Sequence, residues 1–459
     1  MVHRLRGRRH LIAAGRACKG PLARTPVLVA PWAPASPTRR IIRMIDESVD
    51  LFDPRVQQCP WQAYEKLRRE APVYRMPEKG IYLVTSYRLC EEVLRQPDLF
   101  ISGVSPMALR PGGIPQAVID QYTSRGWLPR ASCSTSDPPV HTRVRGFLQP
   151  LFTASRIRDY TPRIRAIAQA LAGRLPVEEP VDFVAAFAHP LPMQVIADLL
   201  GVPDGDLARF KAWSDAIVEP FSMMVSEARE VECAALVVDM QHYFKALLEE
   251  RLREPRNDML TEMARAGEGP GGFSLEEQLT ILTIDLLASG NETTTAAISS
   301  GMRLLCEQPA LASRLAGEWD RIRPFCEEVL RLESPAQGMF REVTAATVLG
   351  GVALEAGDLL SLRFGAANRD PARYARSDEV DLDRPRPGQH LAFGVGRHVC
   401  VGAALARAEM ESAFEVLLEN FGGFSPAWGD QPPPITPSFF GRNLESLGVV
   451  LAPRDGAYG

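Results

Sequence analysis

The sequence lacks any apolar run near the roughly 20 residues that a membrane-spanning helix requires. Its most apolar segment, Leu279 to Ser289, is shorter and contains Asp285. The net charge of −4 offers no overall positive charge for nucleic acid. The eight cysteines form no CxxC pair and no dense cluster, which favours reduced thiols over a disulfide framework. We therefore expect a cytoplasmic protein with no transmembrane anchor and no nucleic-acid partner.

Acidic residues are also missing from the first 45 residues, which contain ten lysines and arginines. We expect a disordered basic extension over residues 1–45 and a single globular domain over residues 46–459. Arg8-Arg9 followed by an apolar stretch resembles a twin-arginine export signal, although two basic residues interrupt that stretch. The composition is also typical of transit peptides, so both alternatives stay open.

Hydrophobic periodicity predicts a mainly α protein with small β-sheets. Helical spacing dominates from Asp137, where Asp-Pro-Pro favours a helix start, to Arg331, and a further helix follows Cys400. The segment 103–134, rich in Gly, Pro and Ser, predicts a long loop with little helix. The remaining predictions are a helix over 61–70, strands within 73–85, short strands between 342 and 362, an irregular segment over 369–390 and a strand over 447–451.

One cysteine lies in a setting that favours metal ligation. Cys400 stands in the run FGVGRHVCVG, residues 393–402, hereafter the cysteine loop, and a helical run follows it. N–H groups at a helix N-terminus stabilise a thiolate and lower its pKa, and a thiolate is a strong axial ligand for haem iron. Glycines let the backbone approach a flat ligand closely. An isolated cysteine in a glycine-rich loop is more often an inert structural thiol.

The pattern FGxGxHxCxG in this loop resembles the haem-binding loop of the cytochrome P450 family. The resemblance implies that Cys400 ligates the iron and that Phe393, Gly394 and Gly402 lie against haem b, iron protoporphyrin IX. It extends over nearly the whole chain, from about residue 46 to 451, with the motifs in the family's order. The implied fold is one large helix-rich domain that encloses the haem.

A second motif, Glu292-Thr293 shortly after Gly290, lies in the apolar helical stretch before residue 305. Gly290 weakens the helix, and the Thr293 hydroxyl can donate to the carbonyl of Ser289 and bend it. By itself the motif also fits a buried helix with one surface glutamate. It resembles the acid–alcohol pair of the family, which implies that Glu292 and Thr293 are catalytic and deliver protons to bound dioxygen. The family position occupied by Asn291 is expected to touch the substrate pocket.

Further roles follow from the same resemblance. Glu328 and Arg331, three apart on one helix face, resemble the family's ExxR pair, and Arg384 is the matching third member of a structural cluster. Haem propionates need cationic or hydrogen-bonding partners. The candidates are His141, Arg145, Arg341 and His398. The candidates for an apolar substrate pocket are Ala288, Met339, Phe340 and Phe439.

The resemblance implies a monooxygenase that inserts one oxygen atom of O2 into a hydrophobic small molecule. No flavin or ferredoxin module is fused to the chain, so NAD(P)H would supply electrons through a separate ferredoxin, or flavodoxin, and its reductase. Arg397 and Arg407 are expected to provide positive charge for docking beside the cysteine loop. The alternatives are oxidative coupling or desaturation, direct use of peroxide, and a haem-binding protein without turnover. The acid–alcohol pair weighs against the last two.

Overall fold

The computed structural model describes residues 49–77, 79–103 and 113–454. The predicted basic extension, residues 1–45, lies outside this part of the chain. None of the helices over the described ranges combines the length and the apolar character needed to cross a membrane. Six of the described cysteines are free thiols, as expected, whereas Cys59 is disulfide-bonded and departs from that prediction.

Helices make up most of the fold, as predicted, and the α-helices are numbered here in chain order. They are α1 Pro54–Gln58, α2 Trp61–Glu70, α3 Tyr87–Leu94, α4 Gln116–Arg125, α5 Val140–Leu151, α6 Ala154–Ala172, α7 Pro190–Leu200, α8 Leu207–Val218, α9 Glu227–Arg253, α10 Met259–Ala266, α11 Leu275–Thr280, α12 Ser289–Glu307, α13 Pro309–Gly317, α14 Ile322–Glu333, α15 Phe364–Ala367 and α16 Ala403–Asn420. Two π-helical segments, Val184–Ala188 and Ile281–Ala288, precede α7 and α12.

The strands form three small sheets. They are β1 Val73–Arg75, β2 Tyr82–Val84, β3 Phe100–Ile101, β4 Pro180–Asp182, β5 Gly338–Val343, β6 Thr347–Leu349, β7 Val352–Leu354, β8 Leu359–Arg363, β9 Phe421–Pro426 and β10 Gly448–Pro453. The largest sheet has the order β1-β2-β8-β5-β3, in which only the β2–β8 pair is parallel. The second has the order β4-β10-β9, and β6 and β7 form a hairpin.

The helices that carry the site share the main hydrophobic core. Helix α16 packs against α6, α12 and α14, and also against α13 and β9, so neighbours on several sides fix the helix after Cys400. A capping box starts α11, because the Ser274 hydroxyl accepts the N–H of Glu277 while the Glu277 carboxylate accepts the N–H of Ser274. From there α11, the π-helical segment and α12 run on without a break to residue 307. This continuous run is called the distal helix below.

Most of the predicted elements are confirmed. Helix α2 spans Trp61–Glu70, and β1 pairs antiparallel with β2 within the predicted strand region 73–85. The prediction for segment 103–134 is wrong in part, because the ten-residue helix α4 lies inside it. Gly, Pro and Ser at the ends of this segment masked the helical residues in its middle. Sequence patterns also failed to predict β4 and β9, which pair with the last strand, β10.

Candidate active site

The cysteine loop folds back on itself immediately before α16. The Cys400 N–H donates to the carbonyl of Phe393 at 2.9 Å. Gly394 and Gly396 have φ angles of 64° and 78°, in the left-handed region that favours glycine. At Gly396 a Cβ would lie 2.8 Å from the carbonyl oxygen of Leu94. These contacts require glycine at position 396 and set the direction in which the cysteine side chain leaves the loop.

The Cys400 side chain is accessible although it lies deep in the fold. Burial raises the pKa of the Cys400 thiol, while N–H groups of Gly402 and Ala403 and the charges of Arg145 and Arg407 lower it. The N–H groups at the helix N-terminus thus lower the thiol pKa as predicted, but desolvation is the larger effect. A thiol that coordinates a metal loses its proton outright, so metal binding requires an accessible sulfur and does not require a low thiol pKa beforehand.

A buried acid neutralises one of the arginines expected on the docking face. Arg407 donates to Glu327, with Nε 2.5 Å from Oε1, and its guanidinium lies over the Phe393 ring at 4.5 Å. His390 contacts the other oxygen of Glu327 at 2.8 Å. Arg397 is also paired, with Asp98 at 2.7 Å. Arg397 and Arg407, which were expected to provide positive charge for docking, are thus each paired with an acid, and Arg407 links the cysteine loop to α14.

The structure brings the three ExxR-cluster residues together in the interior. Glu328 and Arg331 are both fully buried, with Arg331 Nε 2.7 Å from Glu328 Oε1. Arg384 donates to the same carboxylate at 2.8 Å. Arg331 also donates to the carbonyls of Asn368 and Ser377 at 3.0 and 2.6 Å. One buried carboxylate thereby ties the irregular segment before the cysteine loop to α14.

The cations and histidines predicted to hold propionates lie close to one another. The His141 and His398 rings are 4.4 Å apart between centroids. Arg145 donates to the carbonyl of Val399 at 2.5 Å, which places it against the cysteine loop. Arg341 on β5 is 5% exposed and donates only to the neighbouring carbonyl of Phe340 at 2.6 Å.

Three buried ring nitrogens in this cluster have no hydrogen-bond partner. Among the described residues no acid forms an ion pair with Arg341, and burial lowers the pKa of this arginine to about 10. The buried Nε2 of His141 and both ring nitrogens of His398 have no hydrogen-bond partner. Buried polar groups in proteins are normally paired, and unpaired cations are costly. A dianionic ligand with two carboxylates would satisfy them, so the cluster and the adjacent sulfur fit haem.

The distal helix is distorted where the sequence predicted a bend. Its π-helical segment ends at Ala288, and the Ser289 hydroxyl donates to the carbonyl of Ile284 at 2.8 Å, five residues back. The Thr293 hydroxyl donates to the carbonyl of Ser289 at 3.1 Å. Because this bond uses the threonine hydrogen, the oxygen lone pairs remain available to an incoming donor.

Glu292 lies in a buried polar cluster beside α8. Its Oε2 accepts the side-chain N–H of Asn443 at 3.2 Å, whereas its buried Oε1 has no hydrogen-bond partner. Burial, followed by the charge of Asp215, raises the pKa of Glu292 to about 7, against the lowering effects of Lys211 and Ser214. A carboxyl group with this pKa exchanges protons at neutral pH.

Asn291 holds a polar position beside the acid–alcohol pair. Its side chain is fully buried, and its Nδ2 contacts His189 Nε2 at 3.3 Å and Ser214 Oγ at 3.2 Å. The expectation that position 291 touches the pocket stays a prediction. The amide is occupied between α7 and α8 because two polar partners face it there.

The four residues predicted to line the substrate pocket lie in different surroundings. Phe439 is 1% exposed and stacks on Phe52 at 4.4 Å and on Phe340 at 5.8 Å. Phe439 and Phe340, which is 6% exposed, lie in the same hydrophobic cluster. Their place in the substrate pocket stays a prediction. Met339 points to the opposite face of β5 and is partly accessible, while Ala288 is buried in the distal helix.

Sequence reasoning missed a polar residue on the distal helix. Asp285 lies in the π-helical segment, and its carboxylate accepts the N–H of Cys133 at 3.0 and 3.2 Å. Burial raises the pKa of Asp285 to about 7, while the Cys133 N–H lowers it. The available signal was a charged residue within an otherwise apolar helical run. Asp285 joins the segment before α5 to the distal helix.

Three features together define a haem-thiolate enzyme. They are a sulfur at a helix terminus, unpaired donors for two carboxylates, and an acid–alcohol pair on a bent helix. The family model described as cytochrome P450 matches residues 121–448. The chain belongs to the cytochrome P450 family. Its relatives include bacterial hydroxylases and monooxygenases, and the chain is a cytochrome P450 monooxygenase.

Individual relatives cover most of this chain. The mycinamicin IV hydroxylase/epoxidase of Micromonospora griseorubida is 34% identical over 78% of this chain and 87% of its own. Linalool 8-monooxygenase of Pseudomonas putida is 32% identical over 89% of this chain and 100% of its own. The structure of cytochrome P450 CYP109Q5 from Chondromyces apiculatus superposes with a TM-score of 0.76 and 31% identity, over 88% of this chain and 98% of that one.

Proposed function

We propose that this enzyme inserts one oxygen atom of O2 into a C–H bond of a hydrophobic small molecule. The proposal rests on one observation above all, which is that Glu292 and Thr293 adjoin each other on the distorted part of the distal helix. Haem, when bound to Cys400, supplies the iron at which dioxygen is activated. A protein that only binds haem would need neither an exchangeable proton nor a hydroxyl at this place.

The chain's own residues supply the proton. Glu292 has a pKa raised to about 7 by burial and by Asp215, so it takes up and releases protons near neutral pH. The Thr293 hydroxyl donates to the carbonyl of Ser289 and can accept from a protonated neighbour or a water. We propose that Glu292 is the proton source and that Thr293 positions the proton acceptor.

We propose that His141, Arg145, Arg341 and His398 bind the propionates. The support for this assignment is the unpartnered ring nitrogens of His141 and His398, the position of Arg145 against the cysteine loop, and Arg341, which has no ion pair among the described residues. Phe393, Gly394 and Gly402 would lie against the haem on the sulfur side. Glu328, Arg331 and Arg384 would act structurally, by holding the segment that leads into the cysteine loop. We also propose that residues 46–459 form one domain and that residues 1–45 are a separate extension.

We propose that a separate ferredoxin, or a flavodoxin, delivers the electrons from NAD(P)H. A surface cavity of about 680 Å³ adjoins the cysteine loop, and its lining includes four arginines, Arg88, Arg95, Arg373 and Arg407. Acids pair with three of them, and Arg373 has no ion pair among the described residues, so it supplies the positive charge. Positive charge of this kind attracts an acidic partner and speeds its association. We propose that the protein works in the cytoplasm, where such partners occur.

The substrate is proposed to be apolar. Met339 and Ala288 are apolar candidates for the pocket wall, and two relatives are named for mycinamicin IV and for linalool. Asp285 would give the pocket one polar position, because its carboxylate has a single N–H donor and can accept more.

The test is reconstitution under labelled dioxygen. The purified enzyme, a ferredoxin, its reductase and NADPH would be incubated under ¹⁸O2 with linalool and with mycinamicin IV as probes. A product carrying one ¹⁸O atom is expected. Product that forms without label would favour desaturation or coupling. Product that forms equally well from hydrogen peroxide alone would favour direct peroxide use, and turnover of neither probe together with no dioxygen uptake would favour a non-catalytic haem protein.

A further inference from the structure

Three potential metal ligands from separate segments meet beside the distal helix. His189 directly precedes α7, Asp215 lies on α8 and Glu292 lies on α12, and one ligand atom from each lies within 4.8 Å of the other two. Residues so far apart in sequence meet only because helices α7, α8 and α12 pack together. We propose that His189, Asp215 and Glu292 form a site for a divalent transition metal ion of the zinc type.

The donor set suits this class of ion. Zinc is bound in proteins by imidazole nitrogen and carboxylate oxygen, and three protein ligands with one open position form a common arrangement. Burial, followed by the charge of Lys211, lowers the pKa of His189 to about 4, so its imidazole is neutral and able to ligate at physiological pH.

An unsatisfied atom points independently to a ligand. The Oε1 atom of Glu292 is buried and has no hydrogen-bond partner, while Oε2 accepts from Asn443. A buried carboxylate oxygen without a donor is costly, and a cation would satisfy it. Binding requires ligand atoms that are up to 4.8 Å apart to approach by up to about 1.5 Å, since ligands at about 2 Å from a tetrahedral zinc ion are about 3.3 Å apart.

One cation opposes metal binding. Lys211 Nζ donates to Asp215 Oδ2 at 2.8 Å, and its charge reaches both His189 and Glu292. The Lys211 side chain is 58% exposed, so it can swing into solvent and leave both oxygens of Asp215 to a metal. The lysine therefore weakens the site without closing it. Removing the lysine charge is expected to tighten metal binding, which is a change that a merely damaged fold would not produce.

Metal at this site would regulate the enzyme. This consequence rests on the proposed function, because Glu292 is the proposed proton source. A carboxylate that coordinates zinc cannot carry a proton, so bound metal would cut proton delivery and slow product formation. The metal site itself does not depend on that role, and its occupancy is measured without turnover.

The test is zinc binding to the haem-loaded, tag-free enzyme by equilibrium dialysis. We expect one zinc ion that is weakened at least tenfold by His189→Gln and tightened roughly tenfold by Lys211→Met. His242→Asn, which changes an exposed histidine on α9, is the matched control and should leave affinity unchanged. Zinc affinity that is the same in the wild type and in both the His189 and Lys211 variants would overturn the site.

Turnover in the presence of zinc separates the two proposals. Inhibition of the wild type that disappears in His189→Gln supports both the site and the role of Glu292. Zinc that binds as expected but leaves the rate and the coupling of NADPH to product unchanged would support the site and refute Glu292 as the proton source.

Discussion

Replacing Glu328 by Gln tests the structural cluster behind the cysteine loop. The change keeps the side-chain size but leaves two guanidinium groups, of Arg331 and Arg384, without their shared carboxylate. Glu328 and Arg331 have no exposed side-chain surface, and Arg384 is 6% exposed. Removing one partner of a buried ion pair costs about 3–5 kcal/mol, because an uncompensated charge stays buried. That is a large share of the roughly 5–15 kcal/mol that stabilises a typical fold.

The matched control has the same spacing on the surface. Glu232 and Arg229 are also three residues apart on one helix, but Glu232 is 65% exposed. Exposed pairs contribute about 0–1 kcal/mol, so Glu232→Gln should change little. Urea unfolding of the haem-loaded protein would be followed by circular dichroism. With a slope of about 3 kcal/mol/M or more, Glu328→Gln should lower the midpoint by roughly 1 M.

Equal midpoints for the two variants would refute the reasoning, since they would mean that the buried pair contributes no more than an exposed one. A fall in midpoint with an altered slope would show that the compactness of one state had changed, and the comparison would then use unfolding rates. The expected result is a lower midpoint with an unchanged slope for Glu328→Gln alone.

Three further predictions concern the site and its surroundings. Thr293→Ala should divert reduced oxygen to hydrogen peroxide, while Thr293→Ser, which keeps the hydroxyl, should not. Unchanged coupling of NADPH to product in Thr293→Ala would contradict the proposed role of the Thr293 hydroxyl. Arg341→Leu should speed haem loss to apomyoglobin at least tenfold, whereas Arg323→Leu, on the surface, should not, and equal rates would exclude a propionate contact. Burial raises the pKa of Glu333, but Arg303, Arg442 and Arg369 outweigh it and lower the pKa to about 2. The stabilising effect of the Glu333 carboxylate is complete above its unfolded pKa and is lost as the pH falls towards 2. The difference in unfolding free energy between the wild type and Glu333→Gln should therefore narrow from pH 6 to pH 3. A constant difference would contradict this.

Local sequence patterns predicted the parts of the site that are built from neighbouring residues. The cysteine loop, the bend at Thr293 and the helical spacing of Glu328 and Arg331 each depend on residues within ten positions of one another. Two geometric rules hold in any fold. Glycine is favoured at a left-handed backbone position, and a hydroxyl can donate to the carbonyl four residues earlier. The order of the residues along the chain is therefore enough to predict these features.

Features that depend on distant partners could not be predicted in this way. Arg407 is neutralised by Glu327, 80 residues earlier, and Asp285 binds a backbone N–H that lies 152 residues earlier. The stacking of Phe439 on Phe52 and Phe340 likewise joins residues that are far apart in the chain. The raised pKa of Cys400 has the same origin, because desolvation depends on everything packed around the sulfur.

The most direct test of the account is the absorption spectrum of the haem-loaded protein reduced with dithionite under carbon monoxide. Cysteine thiolate ligation predicts the far red-shifted Soret band of a thiolate-bound haem in the wild type, and its loss in Cys400→Ala. A wild-type protein without this band, or a Cys400→Ala variant that keeps it, would contradict the assignment of Cys400 as the iron ligand.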